Sequence, residues 1–543
     1  MRLEMKSLPE LTAALLLSAA GSSASDEYQE LVRLFQEWRA FQAPLFDNGV
    51  PDYTAKAMAE QERGLEPFRR RLASIDRSRW PIPRQVDYEL VRAEMNGLDF
   101  DHRVLRPWSR NPGFYRLVFP SETDVPRREG PVHAGAIELW QYRLPLPLEE
   151  VEKLESKLGA IPAILEQAKI NLVGEARDLW GLGIRAKRAE SEALASLIET
   201  LRERQPVLAP TAERAREATE DFGRWLEEKY PSVTGPSGVG IENYDWYLRN
   251  VHLVPYDWKA QKVLLERELG RAWAHLKLVE NRNRRLPALD MPRDEAEHQR
   301  RFHEAVSEMI GFLRDEEILT VHDDMDPALR VRIGRFSPPG PRMDFFTNVD
   351  YRDSLAMRTH GTHWFDFARM EREPHESPIR RAPSLYNLWD SRAEGFATGF
   401  EEILLQAGLF DERPRAQELI YVMLANRAAR AIGDLEMHAN RMTLEEAVEY
   451  AVRWTPRGWL PKEGATVWFD EELYLQQPGY GTSYVVGKVH IEKLLADRAQ
   501  KLGEDFRLRA FFDEFLASGV IPVSLIRWEM TGLDDEMHQL WKP

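Results

Sequence analysis

Residues 384–407 read SLYNLWDSRAEGFATGFEEILLQA, and the fold is decided by how this stretch is read. Leu385, Leu388, Trp389, Phe396, Phe400, Ile403 and Leu404 recur at helical spacing and make one apolar stripe. Beside it, Glu394, Thr398 and Glu401 stand four and three residues apart and make one polar stripe. Gly395, Ala397 and Gly399 remove bulk, so a second element can approach closely. The glutamates have two readings, a solvated face or carboxylates held inside the protein. Phe396 and Phe400 beside Glu394 favour the enclosed helix, where a carboxylate is costly unless paired or bound to metal.

Working outward, the same period dominates. Leu31, Leu34, Phe35, Trp38 and Phe41 show it, as do Tyr88, Val91, Met95 and Leu98. Residues 148–204 carry two such stretches, Thr211–Lys229 reads as a surface helix, and Trp258–Asn283 as a long helix ended near Pro287 and Pro292. Strand signals are confined to Ile318–Val321, Val331–Ile333 and Phe345–Val349, around the Pro/Gly-rich segment Ser337–Pro341. The expectation is an all-α protein with at most a small β-sheet near 318–349, its helical lobes enclosing a deep groove. Residues 26–336 form an N-terminal helical region and 337–543 a C-terminal region carrying the site, packed as one integrated domain.

The 543 residues are 43% hydrophobic and 10% aromatic, enough for a large core. A formal net charge of −16 argues against a nucleic-acid partner. With no cysteine, disulfides, thiolate ligands and a cysteine nucleophile are excluded, so any metal must sit on His, Asp and Glu. Arg2 and Lys6 flank the start, Leu11–Ala20 is an apolar run too short to span a bilayer, and Ser22-Ser23-Ala24 offers a small-residue cleavage site. Residues 1–25 therefore read as a signal peptide, the other reading being a buried N-terminal helix. No cysteine follows to carry a lipid, and no later stretch reaches 18 apolar residues. A periplasmic or secreted protein without an integral membrane segment in its mature chain is expected.

Familiar catalytic motifs fail. Gly481-Thr-Ser-Tyr-Val lacks the last glycine of a nucleophile elbow, and Gly481 to Gly487-Lys488 has the wrong spacing for a phosphate loop. Histidines carry more. On a helix, His360 and His363 would share one face, a pair able to chelate one metal, and Asp366 could orient His363 by hydrogen bonding. The other reading packs them beside Trp364. Arg427, Arg430, Asp434 and His438 step along one helix, as part of a pocket or as an internal ion-pair ladder. Pro478-Gly-Tyr-Gly-Thr-Ser-Tyr484 introduces a helix beginning near Ser483, suited to an oxyanion or simply to packing Tyr480 and Tyr484.

In this order, these pieces resemble the bacterial domain-of-unknown-function 885 family, regarded as helical, zincin-like metallopeptidase relatives. Glu394-Gly-Phe-Ala-Thr-Gly-Phe-Glu401 is similar to its Glu-Gly-Trp-Ala-x-Tyr-x-Glu element, and Asp434-Leu-Glu-Met-His438 to its Asp-x-Gly-x-His. Pro478-Gly-Tyr-Gly-Thr-Ser-Tyr484-Val-Val-Gly487 is similar to its Pro-Gly-x-x-x-Ser-Tyr-x-x-Gly. Two positions depart. The catalytic glutamate of the family's His-Glu-x-x-Pro-Gly-His-His is missing whether His360 or only His363 is aligned, and Phe512 stands where the family has histidine. The resemblance implies zinc on His360, His363 and Glu394. Glu401 or Asp366 would replace the missing base, and His438 or Tyr484 would stabilise an oxyanion. It further implies an exported metal-dependent hydrolase acting on peptides or amino-acid derivatives. The alternative is a catalytically inactive relative that binds a peptide or small molecule.

Overall fold

A computed structural model describes residues 27–340 and 343–542. The expected signal peptide lies outside the described residues. Helices account for 69% of the protein, which is mostly α. Their ends follow ordinary capping chemistry. Thr54, Asp257 and Asp294 each accept a backbone N–H from the first turn of the helix they precede, and Thr443 with Glu446 forms a reciprocal capping box.

The first three long helices are α1 (27–41), α2 (Ala55–Ala73) and α3 (Ile82–Phe100). A triplet follows, α4 (Leu148–Asn171), α5 (Arg177–Arg204) and α6 (Ala209–Lys229), with its own apolar cluster that includes Leu158, Ile161, Leu194 and Phe222. Beyond it run α7 (Trp258–Asn283) and α8 (Glu295–Asp315). The site is built on α9 (Thr362–Arg372), α10 (Asp390–Ala407), α11 (Ala416–His438), α12 (Ala465–Gln476) and α13 (Tyr480–Leu502). The main core draws Leu31, Trp38 and Leu90 together with Phe396, Phe512 and Trp528. It therefore takes residues from both sides of Ser337–Pro341.

Strands lie elsewhere than the sequence suggests. Phe46–Asp47 pairs antiparallel with Val50–Pro51, and Val118–Phe119 pairs parallel with Ile137–Glu138. Among the described residues of 318–349 there is no strand. Phe345–Val349 is helical because Asp344 caps it, accepting from Thr347 N at 3.0 Å, while Phe345 and Val349 bury at the four-residue spacing of a helix. The parallel bridge pins together the two ends of the irregular segment 120–136. Among the described residues, no helix is long and apolar enough to cross a membrane.

Helices α10 and α13 touch backbone to backbone. A Cβ added at Gly395 would stand 2.5 Å from Gly487 Cα, so both glycines are required by the close approach. That contact sets the distance between the side chains of α10 and the first turn of α13.

Candidate metal centre

Every residue of α10 from Asp390 to Glu402 is buried, Glu394 at 3% exposure, so its polar stripe faces protein and not solvent. Glu394 Oε1 accepts the Tyr480 hydroxyl at 2.6 Å, and its Oε2 lies 3.4 Å from His363 Nε2. His360 sits close by, its ring centroid 5.2 Å from that of His363. One ligand atom from each of His360, His363 and Glu394 can be chosen so that all three lie within 4.8 Å of one another, and no other such trio occurs among the described residues.

The two histidines do not share a helix. His363 is in the first turn of α9, whereas His360 stands in the turn between Ser354–Arg358 and α9. Gly361, at the N-cap, is tightly packed: a Cβ there would lie 2.6 Å from Leu329 Cδ2 and 3.0 Å from the Arg358 carbonyl oxygen. The position where a glutamate would follow His360 thus has little room for a side chain.

The remaining expected residues are distributed around the trio. Glu401 holds Arg427 through two bonds of 2.7 Å, and its Oε1 lies 3.0 Å from His360 Nδ1. Arg427 Nη2 is 3.1 Å from the same ring nitrogen, so Nδ1 is occupied and Nε2 is the nitrogen left to a ligand. Asp366 does not meet His363; its two oxygens take Arg392 at 2.9 and 3.0 Å, both side chains buried. A carboxylate clamped by a guanidinium in this way is a weak proton acceptor.

The stripe on α11 is mainly not a ladder, because its members turn to α10, to α12 and to the start of α13. Arg427 meets Glu401, Arg430 meets Asp470, and His438 Nε2 bonds the Tyr474 carbonyl oxygen at 3.0 Å. Asp434 receives the backbone N–H groups of Gly479 and Thr482 at 3.3 Å and the Tyr244 hydroxyl at 3.1 Å. It therefore anchors the start of α13, which begins at Tyr480 and not near Ser483. Tyr480 is the hydroxyl that reaches Glu394, while Tyr484 packs by its ring against Tyr474 and Tyr480. Phe512, where the resemblance implies a histidine, packs tilted against Phe396 and edge-on to Phe400 in the core.

Charge in the trio is strongly polarised. Burial pulls the His363 pKa down, but the Glu394 carboxylate outweighs it and lifts the group to about 9. Burial would raise Glu394, yet His363 outweighs that and holds it at about 2, with His360 and the Tyr480 hydroxyl assisting. Burial lowers His360, and the neighbouring Arg427 lowers it further against the opposing pull of Glu401. Segment 120–136 adds two carboxylates that no local spacing points to. Asp124 acts on His363, and the Glu394 charge acts on Glu129. Glu129 is tethered by Thr123 Oγ1 at 3.1 Å, and burial, with Asp124 behind it, raises its pKa to about 7.

A divalent cation suits these residues. Two neutral histidines and a carboxylate are a familiar zinc donor set, and zinc bonds of ~2.0–2.2 Å in a tetrahedron place ligand atoms roughly 3.4 Å apart. The His363–Glu394 separation matches that spacing but is too long for a good hydrogen bond, and His363 Nε2 has no hydrogen-bond partner among the described residues. The buried hydroxyls of Thr362 and Thr398, each on an element carrying a trio member, are equally unpartnered there.

Residues 363–530 match the family described as bacterial protein of unknown function (DUF885). The match begins at His363 and takes in Glu394, Asp434 and Tyr480, leaving His360 just outside. No curated protein matches the chain. Among solved structures, the chain is similar to a candidate lipoprotein of unknown function from Shewanella oneidensis, at 14% identity and a TM-score of 0.65, covering 93% of this chain and 98% of that one. It is also similar to a candidate lipoprotein from Colwellia psychrerythraea, at 14% identity and a TM-score of 0.59, covering 95% and 98%. At such identity these likenesses show the fold alone.

Proposed function

We propose that the protein is an exported, zinc-dependent hydrolase of amide bonds in peptides or amino-acid derivatives. One observation carries the reading: His363 Nε2 and Glu394 Oε2 face each other at 3.4 Å in a buried site, with a His360 nitrogen inside the same 4.8 Å cluster. His360, through Nε2, His363 and Glu394 would hold the ion. When bound, zinc lowers the pKa of water toward ~7 and polarises a carbonyl.

The chain's own groups then divide the remaining work. Glu401 and Arg427 fix the His360 ring, as a carboxylate commonly orients a ligating histidine. Tyr480 fixes Glu394. Glu401 and Asp366 are both committed to arginines, so neither serves as proton acceptor. Glu129 is tethered by a threonine and paired with no arginine among the described residues, and its carboxylate takes the proton from the attacking water. Export is supported by the apolar Leu11–Ala20 run and by the lipoprotein description of both structural neighbours.

The rival reading, a groove that binds without hydrolysing, is favoured by the crowding at Gly361 and by Phe512 in the core. Turnover of a mixed peptide library by zinc-loaded protein separates the two. Hydrolysis lost in Glu129→Gln with zinc retained supports the hydrolase. Full zinc occupancy with no product from any peptide supports the inert groove.

A further inference from the structure

A second feature lies beside the trio. A cavity of about 250 Å³ opens between α3, the segment 127–134 and the turns before α10 and α13. Its wall includes Asp101, Tyr53, Tyr247, Tyr386 and Asn387, with Arg127 at the rim. Three short connections tie it to the candidate metal centre. Asn387 lies three residues before α10, Gln477 three before Tyr480, and Gly130 follows Glu129.

The local backbone is unusual in three ways. Asp101 opens a π-helical turn, Asp101–Leu105, closed by Arg106 in the left-handed region, and Tyr247 immediately precedes a second such turn, Leu248–His252. Isolated π-turns are rare and concentrate at functional sites. Tyr386 and Asn387 are consecutive residues with φ of +55° and +53°, a left-handed conformation that bulky residues rarely adopt. Gly97 is required as well, because a Cβ there would overlap the Tyr386 ring. The fold thus accepts strain to hold one aromatic ring in this wall.

The charges in the cavity are uncompensated. Among the described residues the Asp101 carboxylate receives no hydrogen bond and no cation, and its charge bears on Tyr53, Tyr247 and Tyr386 alike. Arg127 likewise makes no ion pair or hydrogen bond with any described residue, and Gln477 Nε2 is buried without a partner. A half-buried, unpaired acid bordered by three tyrosines is complementary to an ammonium group, which it would meet by ion pairing. A free guanidinium at the rim is complementary to a carboxylate.

We propose that this cavity is a recognition pocket for a small zwitterion, an amino acid or short peptide whose ammonium seats on Asp101 within the tyrosine ring and whose carboxylate meets Arg127. Burial raises the Asp101 pKa to about 7, consistent with a carboxylate awaiting a cation. The volume is below the ~300 Å³ where drug-sized sites begin, which suits a ligand of one or two residues. As the substrate's pocket the assignment rests on the hydrolase reading above; as a binding site it does not.

The test is calorimetric titration of the whole chain in EDTA, so that zinc occupancy plays no part. The probes are L-alanyl-L-alanine, its N-acetyl derivative and its C-terminal amide. The dipeptide is expected to bind at least tenfold more tightly than either derivative. Asp101→Asn should abolish the penalty for acetylation and Arg127→Gln that for amidation, each leaving the other intact. Arg127 is an exposed loop residue, so the second variant folds even if the first does not. Absence of dipeptide binding, equal affinity for the three probes, or unaltered discrimination in both variants would overturn the proposal. Loss of zinc binding would leave this result untouched, and failure here would leave zinc binding untouched.

Discussion

Zinc binding should expel one proton from the protein, and that proton should come from His363. With a pKa of about 9, His363 is ~99% protonated at pH 7, and it must become neutral to ligate. Removing the proton costs about 1.4 kcal/mol per pH unit below 9, so ~2.7 kcal/mol at pH 7, a hundredfold in apparent affinity. Glu394 is ionised at any such pH and releases nothing. His360 is held below its ordinary value by burial and Arg427, so it adds less to the count than a free imidazole would. Calorimetry of metal-free protein in two weakly chelating buffers of different ionisation enthalpy counts the protons. At pH 6.5, below the ~7 at which zinc-bound water ionises, the count should be close to one. Log Kd should fall by about one unit per pH unit between 6.5 and 8.5. A count of zero would refute the reasoning, since His363 would then be neutral and Glu394 would not hold its charge.

Other expectations follow from the same contacts. In the metal-free protein, the raised His363 gives stability that is complete below ~6.5 and lost as pH rises through 9, and the depressed Glu394 gives stability lost as pH falls toward 2. The urea-midpoint difference between wild type and His363→Gln should therefore be largest between about pH 4.5 and 6.5 and vanish above 9. Tyr480→Phe removes a charge-assisted bond and should cost ~1.5–3 kcal/mol in denaturant unfolding, with zinc affinity down roughly 10–100-fold. Arg427→Met strands Glu401 as a buried unpaired carboxylate and should cost about 3–5 kcal/mol, read from the same urea titration. Gly395→Ala forces α10 from α13 and should cost ~1–3 kcal/mol in thermal unfolding, loosening zinc along with it.

What could be read from the sequence was what local spacing encodes. The apolar stripe of α10 and the glycines beside it predict an enclosed helix with a close neighbour, and Gly395 against Gly487 is that contact. The proximity of His360 and His363 follows from their separation by three residues, even though a turn and not a helix delivers it. Partner choice is another matter. Asp366 had a histidine three residues away and took Arg392 instead, because a guanidinium supplies two bonds to a buried carboxylate where an imidazole supplies one. Glu401 went to Arg427 for the same reason. Tyr480 and not Tyr484 meets Glu394 because Asp434, whose hold on the helix start depends on tertiary packing, starts α13 three residues before Ser483. Asp101, Arg127 and Glu129 left no sequence signal, since they lie in irregular or π-helical segments brought to the site by long-range contacts alone. The expected strand over Phe345–Val349 gave way because five residues carry too little periodic signal to outweigh an N-cap at Asp344.

The central claim is that His360, His363 and Glu394 hold one zinc ion, and metal stoichiometry tests it most directly. Wild type, His363→Ala and Glu394→Gln would be equilibrated with zinc, dialysed against metal-free buffer and assayed for bound metal per chain, with circular dichroism to confirm folding. The account predicts one zinc per wild-type chain and essentially none in either folded variant. A wild type that retains no zinc, or variants that retain as much as wild type, would contradict it.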